Sequence, residues 1–123
     1  MFPTEEEIVA SYVSVHVRLG LGQPLSRPAI RAALRDAEHL AEDIFETPAA
    51  ILFAFGRTAR AFAGFRTMTV ILAADQVRAS GQRLAHGIGL REMGDVVEAV
   101  HARSKTYEEV RAFFGEALFP FAG

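Results

Sequence analysis

Three arginines, Arg57, Arg60 and Arg66, crowd one short Gly-containing turn near Ala63-Gly64, inside the most apolar stretch of the chain, Thr47 to Gly81. Guanidinium groups keep their charge at physiological pH and present forked donors that match carboxylate and phosphate oxygens. A helix that starts just after the turn adds free N–H groups and the positive end of its dipole. This stretch is therefore expected to hold an anion. The competing expectation is that the arginines are solvated or paired, because the chain carries 15 Asp and Glu against 13 Lys and Arg.

The other chemistry-bearing residues read as structural. His39 lies among Glu38, Glu42 and Asp43, but only Glu42 and Asp43 fall at the i+3 and i+4 spacing that shares a helix face. With no second histidine nearby, a surface cluster is expected rather than a metal centre. Asp75 interrupts an apolar run and is expected to be exposed and paired with Arg78; only burial would make it a functional candidate. His16 borders an apolar stripe and reads as a core-edge residue. His86 and His101 have no partner at useful spacing, and no Ser-His-Asp set can be assembled. The Gly-x-Gly of His86-Gly87-Ile88-Gly89 follows no strand and lacks the third glycine of a dinucleotide fingerprint. No metal and no cofactor is expected.

The elements that must position the arginines are helices. Thr4 and Glu7 form a capping box for a first helix with Ile8, Tyr12, Val15 and Leu19 on one face, stopped by Gly20, Gly22 and Pro24. Pro28 suits the first turn of a second helix, and Leu40, Ile44 and Phe45 are expected to anchor the segment from Asp36 to Glu46. Thr47 as N-cap and Pro48 as first helical residue start a third, whose Ile51, Leu52, Phe55 and Ala59 give it an apolar face wide enough to be central. Gly56 in its middle marks either a close helix approach or a kink. Phe65 to Ser80, closed by Gly81, is a fourth helix, with Val70, Ile71, Ala73, Ala74 and Val77 buried. Leu90, Met93, Val97 and Val100 place a fifth on the core. Thr106 and Glu109 repeat the capping box ahead of a sixth, with Val110, Phe113, Phe114 and Leu118 as anchors. No useful period-2 run appears; a stub of strand near Phe2-Pro3 is the most expected.

Composition bounds the partners. The 123 residues are one domain's worth, half of them hydrophobic and 23% charged, which is a globular balance. A net charge of −2 supplies no field for nucleic acid or an anionic membrane. No apolar run approaches the ~20 residues that span a bilayer. The start, MFPTEEE, has no hydrophobic signal core, and the absence of cysteine rules out a disulfide framework or a thiolate site. A cytoplasmic location is expected.

The order of these elements resembles the Fic/Doc superfamily, and within it the death-on-curing (Doc) toxin type. FPTEEEIVASYVSVH resembles that family's opening helix, and SRPAIRAALRDA its short arginine-led second helix. TPAAILFAFGRTARAFAGFRTMTVILAADQVRASGQRL resembles the pair that brackets the active-site loop, and GDVVEAVHARSKTYEEVRAFF the last two helices. The resemblance implies an all-α fold over residues 1–123: a compact bundle of about six helices around a central helix pair, with at most a vestigial strand.

Members of that family transfer nucleotidyl or phosphoryl groups with a loop of the form His-x-Phe-x-(Asp/Glu)-(Gly/Ala)-Asn-(Gly/Lys)-Arg. Against it, Phe62 matches the phenylalanine, Gly64 a loop glycine, and Arg66-Thr67 the Arg-Thr that opens the next helix. Arg60 stands at the histidine, and the acid and asparagine have no counterpart. Without a gap, Thr58 falls on the histidine instead. Arginine is no general base at neutral pH, and a loop without the acid cannot hold Mg²⁺ in the family's way. The resemblance therefore implies a scaffold without the usual AMP-transferase or kinase activity. Its helical pocket is expected to take a small aromatic or anionic ligand, or to run a non-family reaction, through Arg57, Arg60, Phe62, Gly64, Arg66 and Thr67. Two alternatives stand beside this. One is a pseudo-enzyme or toxin-like interaction protein that meets a partner, or a second copy, through Phe113–Phe121; the other is an altered toxin acting on translation.

Overall fold

The computed structural model describes residues 2–19, 25–84 and 89–120. Gly20, Gly22, Pro24, His86, Gly87, Ile88 and Phe121, which carried expectations above, lie outside them.

The fold is all-α. Six α-helices run in order: α1 Glu5–Leu19, α2 Arg27–Leu40, α3 Thr47–Gly56, α4 Phe65–Ala79, α5 Leu90–His101 and α6 Tyr107–Ala117. Short 3₁₀ turns precede α3 (Ile44–Glu46) and sit between α3 and α4 (Ala59–Ala61). The capping chemistry is where the sequence places it. Thr4 N–H donates to Glu7 Oε1 at 2.9 Å while Glu7 N–H donates to Thr4 Oγ1 at 3.1 Å, and Thr106 and Glu109 repeat the exchange at 3.0 and 3.2 Å. Ser26 Oγ caps α2 by accepting from Ala29 N–H, with Pro28 in the first turn.

Every residue of α3 is buried. One face, with Ile51 and Phe55, joins Ile8 and Tyr12 of α1, Ile30 and Leu34 of α2, and Met68 and Leu72 of α4. The opposite face, with Leu52 and Phe53, joins Val70 and Val77 of α4, Met93 and Val97 of α5, and Val110 and Phe114 of α6. A helix buried on all sides needs small residues where neighbours crowd it. The Cβ that Gly56 lacks would lie 3.0 Å from Val100 Cγ1, so this glycine marks a close approach to α5.

Five details differ from the sequence reading. Thr47 is not an N-cap: the 3₁₀ turn runs directly into α3, Thr47 is already helical, and its hydroxyl donates backward to Ile44 O at 2.8 Å. Ala59 lies beyond the end of α3, in the 3₁₀ turn of the connection to α4. Ile44 and Phe45 are not anchors. Asp43 Oδ1 caps Phe45 N–H, the chain leaves the α-helical path, and the two side chains are 56% and 63% exposed. Leu90 is also exposed, at 58%. It is the first residue of α5, where a side chain leans back past the helix end rather than onto a neighbour. The strand stub is not at Phe2-Pro3, which is irregular; instead β1 Gln82–Leu84 and β2 Leu118–Pro120 pair antiparallel, with Arg83 opposite Phe119. No helix among the described residues is long and apolar enough to cross a membrane.

Candidate functional site

A half-open cleft of about 510 Å³ lies between α2 and α3. The stripe Ala32, Asp36, His39 and Leu40 supplies one wall, at the i, i+4, i+7, i+8 spacing that flanks the buried face of α2. Phe53, Ala54, Arg57 and Thr58, at the C-terminal end of α3, supply the other. Arg60 of the following 3₁₀ turn and Arg103, just past α5, complete the rim. The apolar part comes from Leu40, Phe53 and the alanines, so the carbon skeleton of a ligand has surface to cover.

Four of the polar residues are held by local contacts. Arg57 caps α3 with its N–H on Phe53 O at 3.2 Å, and its guanidinium carbon stands 5.3 Å from the centre of the Phe53 ring. That cation–π contact fixes the side chain over the cleft wall. Thr58 Oγ1 donates to Ala54 O at 2.8 Å. Arg103 adopts φ +63°, a left-handed conformation that costs a non-glycine residue about 1 kcal/mol or more. In return its Nη1 donates to Val100 O and His101 O at 3.4 and 3.2 Å, covering the last carbonyls of α5. His39 Nδ1 lies 2.8 Å from Arg35 O; a carbonyl only accepts, so Nδ1 carries the proton and Nε2 of the neutral ring is an acceptor.

The charges in this cleft do not neutralise one another. Among the described residues, none of Asp36, Arg57, Arg60 and Arg103 belongs to an ion pair. Elsewhere several arginines pair with acids. Arg27 and Arg31 hold Glu5, at 2.6 and 3.3 Å, and Arg111 lies 3.6 Å from Glu46.

The structure divides the six residues singled out from sequence. Arg57 and Arg60 share the cleft. Phe62 is buried in the core, stacked between Tyr12 and Phe55 with centroids 5.4 and 5.8 Å away. Gly64, at φ +64°, is the N-cap of α4, a conformation that favours glycine. Thr67 is exposed on the first turn of α4. Arg66 turns to α5, with Nε on Gly94 O at 3.3 Å, Nη1 3.2 Å from Glu98 and Nη2 3.5 Å from Asp95. The cleft takes in none of these last four. Asp75 pairs with Arg78 at the surface. At the proposed partner end, Phe114 is buried and packs edge-on against Phe113 at 5.2 Å.

Asp36, His39 and Arg103 were not picked as site residues from sequence. The α2 pair had a readable signal, polar residues flanking an apolar stripe, but nothing local links them to an arginine more than sixty positions later. Among the described residues no group of three His, Asp or Glu side chains is placed to hold a metal, and Asp43 near His39 serves as a cap. No family model matches this chain, and no curated protein matches it.

Proposed function

We propose that this chain is a small-molecule-binding helical domain, and that the anionic group of its ligand sits at Arg57 and Arg60 in the cleft between α2 and α3. One observation carries the reading. Two arginines without a carboxylate partner among the described residues open onto a cavity of about 510 Å³ with partly apolar walls. That volume is within the range of small-ligand pockets, roughly 300–1,000 Å³. Arginine forks give orientation, and the apolar wall gives affinity. Ordinary Fic-type AMP transfer and Doc-type phosphorylation are absent in this proposal, because Arg60 replaces the histidine and the segment from Thr58 to Thr67 contains neither acid nor asparagine. The exposed pair Ile44 and Phe45 favours a second reading, a protein-interaction surface on the far side of α3's start.

Thermal shift with inorganic phosphate, phenyl phosphate, phenylacetate and ATP tests the proposal. An anion should raise the melting temperature of the wild-type chain and not that of an Arg57→Ala/Arg60→Ala variant. Equal shifts in both proteins, or none in either, would overturn it. Incubation with radiolabelled ATP and a cell lysate checks the chemistry: no labelled protein beyond that of the lysate alone is expected, and strong additional bands would restore the transferase reading.

A further inference from the structure

The same cleft specifies more than a negative charge. We infer that its ligand is a small zwitterion, a carboxylate or phosphate that also bears a protonated amine, with the anion at Arg57 and Arg60 and the ammonium at Asp36. This inference rests on the binding reading above and deepens it.

Two observations carry it. First, residues of opposite charge line one cavity without closing on each other: Asp36 on the α2 wall, Arg57 on the α3 wall and Arg60 beside it, none in an ion pair with a described residue. A molecule with both charges can bridge them.

Second, three helices end at this cleft: α2 at Leu40, α3 at Gly56 and α5 at His101. Each C-terminus presents free carbonyls equivalent to about half a negative charge. Arg103 is spent on the carbonyls of α5, bonded to Val100 O and His101 O, and those of α3 are taken locally, Phe53 O and Phe55 O by the Arg57 and Thr58 N–H groups and Ala54 O by the Thr58 hydroxyl. The rest leaves a positive side, Arg57 and Arg60, facing a negative side made of Asp36 and the end of α2. A bare anion meets repulsion from the second side, and a bare amine from the first. In its neutral form His39 adds an acceptor to the negative side. Its Nδ1–H is committed to Arg35 O at 2.8 Å, so Nε2 accepts, one helical turn from Asp36. Together they provide acceptors for the hydrogens of an ammonium, and Leu40 and Phe53 cover the carbon skeleton.

Calorimetric titration of wild type and Asp36→Asn with two matched pairs of probes tests this. The pairs are phenylalanine against 3-phenylpropionate, and phosphoethanolamine against ethyl phosphate. Asp36 is exposed, so the variant is expected to keep its fold, which circular dichroism checks. In at least one pair the amine-bearing probe should bind wild type about tenfold more tightly, and Asp36→Asn should bring the two within about twofold. Equal affinity within both pairs overturns the zwitterion and leaves the anion site standing. A preference that survives Asp36→Asn overturns the place given to the ammonium. No binding by any probe at millimolar concentration overturns both readings.

Discussion

Tyr107 Oη donates a 2.8 Å hydrogen bond to Glu46 Oε1, tying the first residue of α6 to the 3₁₀ turn that leads into α3. Glu46 is a carboxylate with a side chain only 10% exposed. Its other oxygen accepts from Glu42 N–H at 3.2 Å, and Arg111 Nη1 lies 3.6 Å from Oε1. Removing the phenol hydroxyl leaves that oxygen with one distant cation. Tyr107→Phe is therefore expected to lose about 1–3 kcal/mol, the penalty for leaving a buried charged acceptor short of a donor. Urea denaturation of Tyr107→Phe in the wild-type and Glu46→Leu backgrounds measures the coupling; equal costs in both would show that the bond contributes nothing.

Arg66 and the pair Arg57/Arg60 should separate in their effects. Arg66 bridges to Asp95 and Glu98, acids whose side chains are well exposed, so the contacts are screened. Arg66→Ala is expected to cost about 1 kcal/mol or less, to cost less still in high salt, and to leave ligand affinity in the cleft unchanged. Arg57→Ala/Arg60→Ala should do the reverse, sparing stability and abolishing binding. A loss of binding on Arg66→Ala would move the site to the start of α4.

Gly56→Ala sets two effects against each other. In an exposed helix interior the change gains about 1 kcal/mol. Here the new methyl would stand 3.0 Å from Val100 Cγ1 and 3.3 Å from its Cβ, and Val100 is fully buried on a packed helix. Overpacking of this kind costs roughly 1–3 kcal/mol, so a net destabilisation is expected. An unchanged or higher melting temperature would mean that α5 slides away without cost.

The pH dependence follows from which groups the fold perturbs. The side-chain bond from Arg27 holds Glu5 below its usual value of 4.5, and the Gly89 and Thr106 N–H groups do the same for Glu92 and Glu109. The folded chain thus binds fewer protons than the unfolded one in this window. The stability these groups add is full above about pH 4.5 and is lost as pH falls through the lower folded values. Tyr107 runs the other way: burial, then the bond to Glu46, raises it above its usual 10.0. Its share is full below pH 10.0 and is lost as pH rises beyond it. Urea midpoints should therefore be level at neutral pH and fall on both sides. Glu109→Gln should flatten part of the acid limb, and an acid limb unaltered by it would put the loss elsewhere.

What the sequence made legible was local. The boxes at Thr4 and Thr106, Pro28 at the start of α2, and the unbroken apolarity of α3 each act over a turn or two, and each is found in the fold. The exchange of partners across the fold was not legible. Arg66 reads as part of an anion site at the turn until α5 brings Asp95 and Glu98 to it. His39 reads as part of a surface cluster, and Asp36 as no more than the start of its segment, until the end of α3 closes a cleft in front of them. Arg103 joins that cleft through a left-handed backbone that no pattern of residue types announces. Ile44 and Phe45 misled because apolar residues after a helix suggest its continuation, whereas the Asp43 cap turned the chain.

Thr69 offers the cleanest test of core packing. It is fully buried on α4, and its hydroxyl is the single buried side-chain polar atom among the described residues without a hydrogen-bond partner. A threonine in a helix often returns its hydroxyl to a carbonyl one turn back; this one does not, so it bears the desolvation cost with nothing in exchange. Valine has nearly the same shape and keeps the branched Cβ, so Thr69→Val removes the orphan group without opening a cavity. The variant is expected to gain about 1 kcal/mol, raising the denaturation midpoint at unchanged slope. Thr69→Ser keeps the hydroxyl and deletes a methyl, and should be less stable than wild type by about 1 kcal/mol. A destabilised Thr69→Val would mean that the hydroxyl has a partner in solution, a water or a ligand group reaching the inner side of α4, and measuring the two variants together distinguishes that case from a simple packing defect.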